Sequence, residues 1–539
     1  MTTTTTTSAA AAPGILYVTM QPQPQPGLDL FHFHEWYNNE HGPTRLSIPS
    51  IFSNGLRYSS TSTPAFMAVY DVRHMPLLAT PTYTTLRANR SPREAATIAQ
   101  VDVRRAFYDL LHTKAADEFQ PIESLSDAEA AGIVTVAVEI SLTEDPAAGD
   151  AYQAWYTEEH VEMLAKVPGW LRSRLFKTSP LQEADKTTYF CLHDYAPTNG
   201  LGGPVHAASM DTPRRTAVFD KYVASKSRQT FSLFYVFGPA SRDLHSLAHL
   251  PPTVSADFTS ADNTLCTTAT SITSRITAAD GLLIPYHLQG NPAPDAPVVV
   301  LSNSLLTSYS MWDPLVALLT KHRPDLRVLR YDTRGRHAVP QPPVAATLAD
   351  LAADLEALRT ALRIEQFACV IGVSMGGATA LRYALTHPAR VGRFVAADFN
   401  CAAAASNTQA WRDRIAVARS GGMAALAGQT VARWFHPDTP AETAAWMTEI
   451  VTANDVEGFA HSCTALWDYD MRAEMPACKV PALMVAGEAD GKGVLVKAMD
   501  GFKGLVGENG AELRVVPRTG HLPMCEKADG FWDAIKDFV

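Results

Sequence analysis

One short segment constrains this chain more than any other. Ile371-Gly372-Val373-Ser374-Met375-Gly376-Gly377 joins an apolar run, Phe367 to Ile371, directly to a helical stretch, Ala378 to Leu385. The pattern GxSxG between a buried strand and a helix requires a tight turn. Glycines flank the serine because a Cβ on either side would run into the neighbouring strand or helix. The turn presents the Ser374 hydroxyl at the strand's carboxyl end, above a helix N-terminus.

The surrounding pattern suits such a turn. Val298 to Leu301 is apolar at every position, as expected of a strand covered on both faces of a parallel sheet. Val328 to Tyr331, Phe394 to Ala397, Ala482 to Ala486 and Leu513 to Val516 are further strands, and Leu348 to Leu362 is one of the helices between them. A hairpin is expected near Arg275 to Leu288. Strand–helix alternation predicts a doubly wound, mostly parallel sheet over residues 268–539. Residues 401–478 are too many for a loop and carry Trp411, Trp434, Phe435, Trp446 and Trp467, which predicts a helical cap.

A serine hydroxyl needs a base, and the base needs a carboxylate to orient it. Asp490 follows the strand ending at Ala486, and His521 follows the last strand. Ser374, Asp490 and His521 would then meet at one edge of the sheet, in the chain order Ser, acid, His. Glu488 is the rival acid. The backbone N–H groups of Met375 and, after the first long strand, Leu305 are the expected oxyanion donors. This chemistry calls for no metal and no cofactor.

From about residue 268 the chain resembles the 3-oxoadipate enol-lactonases, which are α/β hydrolases of aromatic-compound catabolism. The likeness rests on Leu301-Ser302-Asn303-Ser304-Leu305, Arg330-Tyr331-Asp332-Thr333-Arg334-Gly335, Gly421-Gly422-Met423-Ala424 with Arg433-Trp434-Phe435, and Glu457-Gly458-Phe459-Ala460 with Asp470-Met471-Arg472. It implies cleavage of a lactone or ester through an acyl-enzyme on Ser374. An enol-lactone acid is an anion, so a basic or amide group is expected at the pocket. Arg412, Arg414 and Arg472 are the cap candidates, and Trp434 and Trp467 are candidate pocket walls. The chain departs from these relatives after the acid (Gly491-Lys492-Gly493), after Gly335 (Arg336-His337-Ala338) and after His521 (Leu522-Pro523-Met524-Cys525-Glu526). A carboxylesterase, a C–C bond hydrolase, a cofactor-free haloperoxidase, or a non-catalytic receptor or scaffold are the alternatives for the same constellation.

Residues 14–240 repeat themselves. Trp36-Tyr37-Asn38-Asn39-Glu40-His41 is echoed by Trp155-Tyr156-Thr157-Glu158-Glu159-His160. Each copy follows an apolar strand, Ile15 to Met20 or Ile133 to Ile140, and precedes a proline link and two further strands. The expected plan is β-α-β-β-α-β twice, over about 14–125 and 130–240, a tandem ferredoxin-like domain. The doubled motif resembles EthD-like domains of the dimeric α/β-barrel superfamily. Because both copies keep it, His41 and His160 read first as parts of the repeat. A muconolactone isomerase fused to an enol-lactonase is a further alternative, by analogy of fold.

The 539 residues have a net charge of −10, which disfavours nucleic acid and anionic membranes as partners. No stretch reaches the roughly 18–20 apolar residues of a membrane span. The 7 cysteines have no CxxC spacing and read as reduced thiols. The Thr/Ala tract within residues 1–13 carries no Lys or Arg, so it is expected to be a disordered tail and not a targeting signal, and the cytoplasm is the expected location. Residues 241–267 are expected to be a polar linker. A small-molecule lactone or ester is the expected partner, and no oligomeric state is legible.

Overall fold

The computed structural model describes residues 12–24, 27–182 and 187–539, which form two compact units, Met1–Pro239 and Ala240–Val539. The tail expected over 1–13 lies outside the described residues except for its last two. Ala12 is tied down there: its N–H donates to His74 Nδ1, and its carbonyl accepts from Met75 N–H.

In the first unit, β1 (Gly14–Pro22), β2 (Phe52–Ser59), β3 (Phe66–Val72) and β4 (Val101–Ala115) come from the first repeat. The second supplies β5 (Val134–Leu142), β6 (Trp170–Thr178), β7 (Thr188–Tyr195) and β8 (Val223–Val236). They close an eight-stranded antiparallel barrel in the order β1-β3-β2-β8-β5-β7-β6-β4. Successive side chains of a strand point to opposite faces, and both faces of β1 are buried over Gly14–Met20. Ile15 and Tyr17 join the interior with Tyr58, Met67, Tyr108 and Phe190, residues from both repeats. Leu16, Val18 and Met20 face the first repeat's helices with Phe33, Trp36 and Tyr37.

Both copies of the repeated motif depart from α-helical geometry in the same way. Tyr37–His41 and Tyr156–His160 are π-helical turns, in which Gly42 N–H reaches back to the Tyr37 carbonyl and Val161 N–H to that of Tyr156. The wider turn adds one residue without breaking the helix and swings the terminal histidine inward, a device that often accompanies functional sites. Residue periodicity over five positions cannot reveal it.

The second unit holds a ten-stranded sheet. Its strands are β9 (Phe258–Thr259), β10 (Cys266–Thr268), β11 (Ser271–Thr277), β12 (Leu283–Gly290), β13 (Val298–Ser302), β14 (Arg327–Tyr331), β15 (Phe367–Val373), β16 (Phe394–Ala397), β17 (Ala482–Gly487) and β18 (Glu512–Val516). The order is β18-β17-β16-β15-β13-β14-β12-β11-β10-β9, parallel from β18 to β14 and antiparallel beyond. Residues 241–267 do more than link. Leu244, Leu247 and Leu265 enter this unit's core, and the Ser241 carbonyl accepts from Tyr286 Oη at 2.6 Å. Their apolar side chains are spaced too sparsely to stand out between prolines and serines.

Helices fill most of 401–478: Asn407–Trp434, broken at Gly422, then Ala441–Thr452 and Val456–Cys463. Arg334, from the shared Arg-Tyr-Asp-Thr-Arg-Gly run, forms paired 2.7 Å hydrogen bonds with buried Asp354, so that motif serves the frame. No helix among the described residues is long and apolar enough to cross a membrane.

Candidate active site

Ser374 sits between β15 and the helix Met375–Thr386 with φ 58° and ψ −117°, a conformation that L residues rarely hold. Two hydrogen-bonded frames maintain it. The Ser374 N–H donates to the Ala397 carbonyl at 2.8 Å, anchoring the turn to β16. The flanking glycines are obligatory: a Cβ on Gly372 would meet Gly376 O at 2.1 Å, and one on Gly376 would meet Ser302 O at 2.1 Å. The second clash also shows how closely the loop after β13 approaches the turn. Asn303 fixes that loop, donating to the Tyr331 carbonyl at 2.9 Å and accepting from Trp312 Nε1 at 2.8 Å.

Asp490 follows β17 and His521 follows β18. His521 Nδ1 lies 2.7 Å from Asp490 Oδ2. A proton on Nδ1 makes that contact a hydrogen bond and leaves Nε2 as a lone-pair base. After Asp490 the chain turns through Gly491, Lys492 and Gly493 with φ 54°, 59° and 80°, a left-handed run that the two glycines ease. Ser374, Asp490 and His521 line one cavity of about 400 Å³, together with Met375. Glu488, the rival acid, is exposed and accepts from the Arg518 N–H at 2.8 Å. Leu305 is buried on the loop beside the turn.

Two carboxyl groups that sequence reasoning missed complete the surroundings. Asp398, at the carboxyl end of β16, is buried; its Oδ1 accepts from Gly487 N–H at 2.8 Å, and both Asp398 and Asp490 line the Ser374 cavity. Burial, then the adjacent Asp490 charge, hold the Asp398 carboxyl protonated well above the usual carboxylate range. Burial opposes ionisation of Asp490 too, but the charge and hydrogen bond of His521 outweigh it, leaving Asp490 below its ordinary value. Glu526 is the second. It accepts from Gly520 N–H at 2.8 Å on one oxygen, and from His436 N–H at 2.8 Å and Thr439 Oγ at 2.7 Å on the other. It thereby clasps the His521 loop to the cap. The only sequence signals were an acid ending an apolar strand, Phe394-Val395-Ala396-Ala397-Asp398, and an acid five residues past the histidine.

The cap candidates divide. Trp434 is buried against His521: the rings stack with centroids 5.6 Å apart, and the Trp434 carbonyl accepts the His521 N–H at 2.6 Å. Trp467 and Arg412 face a different groove, where the guanidinium stacks over the indole. Trp411, Leu466 and Tyr469 line the Ser374 cavity instead. Arg472 is exposed and paired with Asp470 at 2.5 Å, away from that cavity, and Arg414 stacks on Trp411. Trp467 and Arg472 are not among the residues that line the Ser374 cavity; which side of a cap helix meets the cavity depends on how the helices pack, and arginines with a neighbouring aromatic or carboxylate settle there. None of the residues lining the cavity is Lys or Arg, while Asn400 and Asn407 supply amides.

Comparison with known proteins follows the same outline. The family described as alpha/beta hydrolase fold matches residues 297–528. The chain is 34% identical over 200 residues to 3-oxoadipate enol-lactonase 2 of Acinetobacter baylyi, covering 36% of this chain and 72% of that protein. It is 35% identical over 206 residues to 3-oxoadipate enol-lactonase 1 of the same organism, covering 38% and 75%. A crystal structure of the enol-lactonase from Burkholderia xenovorans LB400 aligns with 49% of this chain and 98% of its own at 32% identity, with a TM-score of 0.43. Through residues 297–528, the chain belongs to the alpha/beta hydrolase fold family.

Proposed function

We propose that the second unit is a serine hydrolase that cleaves a lactone or ester by way of an acyl-enzyme, with Ser374 as nucleophile, His521 as general base and Asp490 as the carboxylate that orients it. The observation that carries this reading is the 2.7 Å His521–Asp490 contact in the same cavity as a serine held at φ 58°. Ser374 Oγ adds to the carbonyl carbon while Nε2 of His521 takes its proton. The N–H groups of Met375 and Leu305 are the proposed donors to the developing oxyanion. The C–O bond then breaks, and the imidazolium returns the proton to the leaving oxygen. In a lactone that oxygen stays tethered as the alcohol or enol of the acyl group. Water, deprotonated by His521, attacks the acyl carbon and releases the acid and Ser374.

The names of the Acinetobacter relatives favour an enol-lactone acid as substrate, and the resemblance in sequence suggests a place in aromatic-compound catabolism. A second reading has an observation of its own: a cavity lined without Lys or Arg suits a neutral lactone or ester better than an anion. Comparing kcat/KM for an enol-lactone acid with that for its methyl ester separates the two. Preference for the free acid supports the first, preference for the ester supports the second, and no turnover of either, or of simple esters, removes the hydrolase reading. For the first unit, the order β4-β1-β3-β2 within one repeat and β8-β5-β7-β6 within the other supports a tandem ferredoxin-like, EthD-like barrel.

A further inference from the structure

The two repeats of the barrel have diverged at one pair of positions, and the difference opens a site. In the first repeat His41 Nδ1 lies 2.7 Å from Glu94 Oε1, and Ser91 Oγ donates to Glu40 Oε1 at 2.5 Å. In the second, Thr212 Oγ1 donates to Glu159 Oε1 at 2.5 Å, so the same capping contact is kept. The run Ser91-Pro92-Arg93-Glu94 therefore corresponds to Thr212-Pro213-Arg214-Arg215. Arg215 stands where Glu94 stood, and the carboxylate that engages the first histidine has no counterpart at the second.

His160 registers the loss. It is buried at 6% exposure, and its Nδ1 has no hydrogen-bond partner. A buried lone pair without a donor is costly unless something supplies one. His160 lines a cavity of about 240 Å³ whose walls include Trp155 and Phe219. Arg215, Lys226 and Arg228 also line it, and none of its lining residues is Asp or Glu. Trp155 stacks on His160 with centroids 4.5 Å apart and meets Phe219 edge-on at 5.3 Å, so the two rings form one continuous aromatic wall, and the Arg215 guanidinium lies 4.1 Å over the Phe219 ring. Lys226 and Arg228 are exposed while His160 is buried, so the positive charge lies toward solvent and the acceptor lies deep. Burial, then Arg215 and Arg228, depress the Lys226 ammonium, as expected of cations gathered without a counter-charge.

We propose that this cavity binds a small aromatic carboxylic acid bearing a hydroxyl group, with the hydroxyl donating to His160 Nδ1, the ring against the wall that Trp155 and Phe219 form together, and the carboxylate among Arg215, Lys226 and Arg228. The first repeat, with Glu94 on its histidine, keeps the barrel's architecture without this site. The assignment stands independently of the hydrolase reading.

The test uses the full chain, with 4-hydroxybenzoate as probe and calorimetric titration as readout. Saturable binding is expected. Benzoate, which lacks the donor, and 4-hydroxybenzamide, which lacks the charge, are expected to bind at least about tenfold more weakly. Arg215→Glu, which recreates the carboxylate of the first repeat, and Leu164→Trp, which fills the cavity, are each expected to weaken binding at least about tenfold with ester hydrolysis unchanged. Prior phosphonylation of Ser374 is expected to leave binding intact, which distinguishes this site from the hydrolase cavity. No saturable binding of 4-hydroxybenzoate, unchanged affinity in either folded variant, or loss of binding on phosphonylation overturns the proposal.

Discussion

The buried carboxyl group of Asp398 neighbours the carboxylate of Asp490, and burial together with the Asp490 charge keeps a proton on Asp398. An amide can play the part of the protonated acid, because its oxygen can accept from Gly487 N–H and its nitrogen can donate to Asp490. Asp398→Asn should therefore keep kcat/KM within about threefold. Asp398→Ala removes the donor and should lower kcat/KM about tenfold, the scale of one lost buried hydrogen bond. It should also make Asp490 easier to protonate and move the acid limb of the pH–rate profile to higher pH. Equal activity in both variants would assign Asp398 a packing role only.

The same proton has a stability consequence. A carboxyl whose folded pKa is raised favours folding less and less as pH rises from its unfolded value, near 3.8, toward its folded value. Asp398→Asn has no such proton to lose. Its unfolding midpoint should exceed that of the parent by a margin that grows as pH rises above about 4. Denaturation series at several pH values check this, and a margin independent of pH would contradict it.

Glu526 holds the His521 loop to the cap through hydrogen bonds to Gly520, His436 and Thr439. Glu526→Ala leaves those donors unmatched and should cost about 1–3 kcal/mol of stability. Because it frees the loop that positions the base, kcat should fall more than KM rises. Thermal unfolding and steady-state kinetics read the two effects separately.

Arg472→Ala should change kcat/KM less than about twofold, since an exposed ion pair contributes little. Trp411→Ala, at the cavity wall, should raise KM for bulky esters by about tenfold or more through lost apolar contact. A kinetic series on one large and one small ester distinguishes them.

What the sequence revealed follows from what local geometry demands. The Ser374 turn is legible because Gly372 and Gly376 have backbone within 2.1 Å of where a Cβ would stand. Asp490 and His521 are legible because parallel strands end at one edge, so loops far apart in sequence converge. The β-α-β-β-α-β order was legible from the doubled Trp-Tyr-x-x-Glu-His motif, whereas the π-helical turn within it was not, since one inserted backbone residue leaves the residue types unchanged. Asp398 and Glu526 went unread because their partners are backbone N–H groups and another acid, none of which marks the sequence. The placement of Trp467 and Arg472 outside the lining of the Ser374 cavity was not legible, because helical spacing gives a face but not what it packs against.

The central claim is that Ser374 is a nucleophile activated by His521. Incubating the full chain with a fluorophosphonate and mapping the adduct by mass spectrometry tests it directly. The account predicts one adduct, on Ser374, formed at least about 10³-fold more slowly in His521→Ala. An adduct at another residue, or labelling of Ser374 at an unchanged rate in that variant, would contradict it.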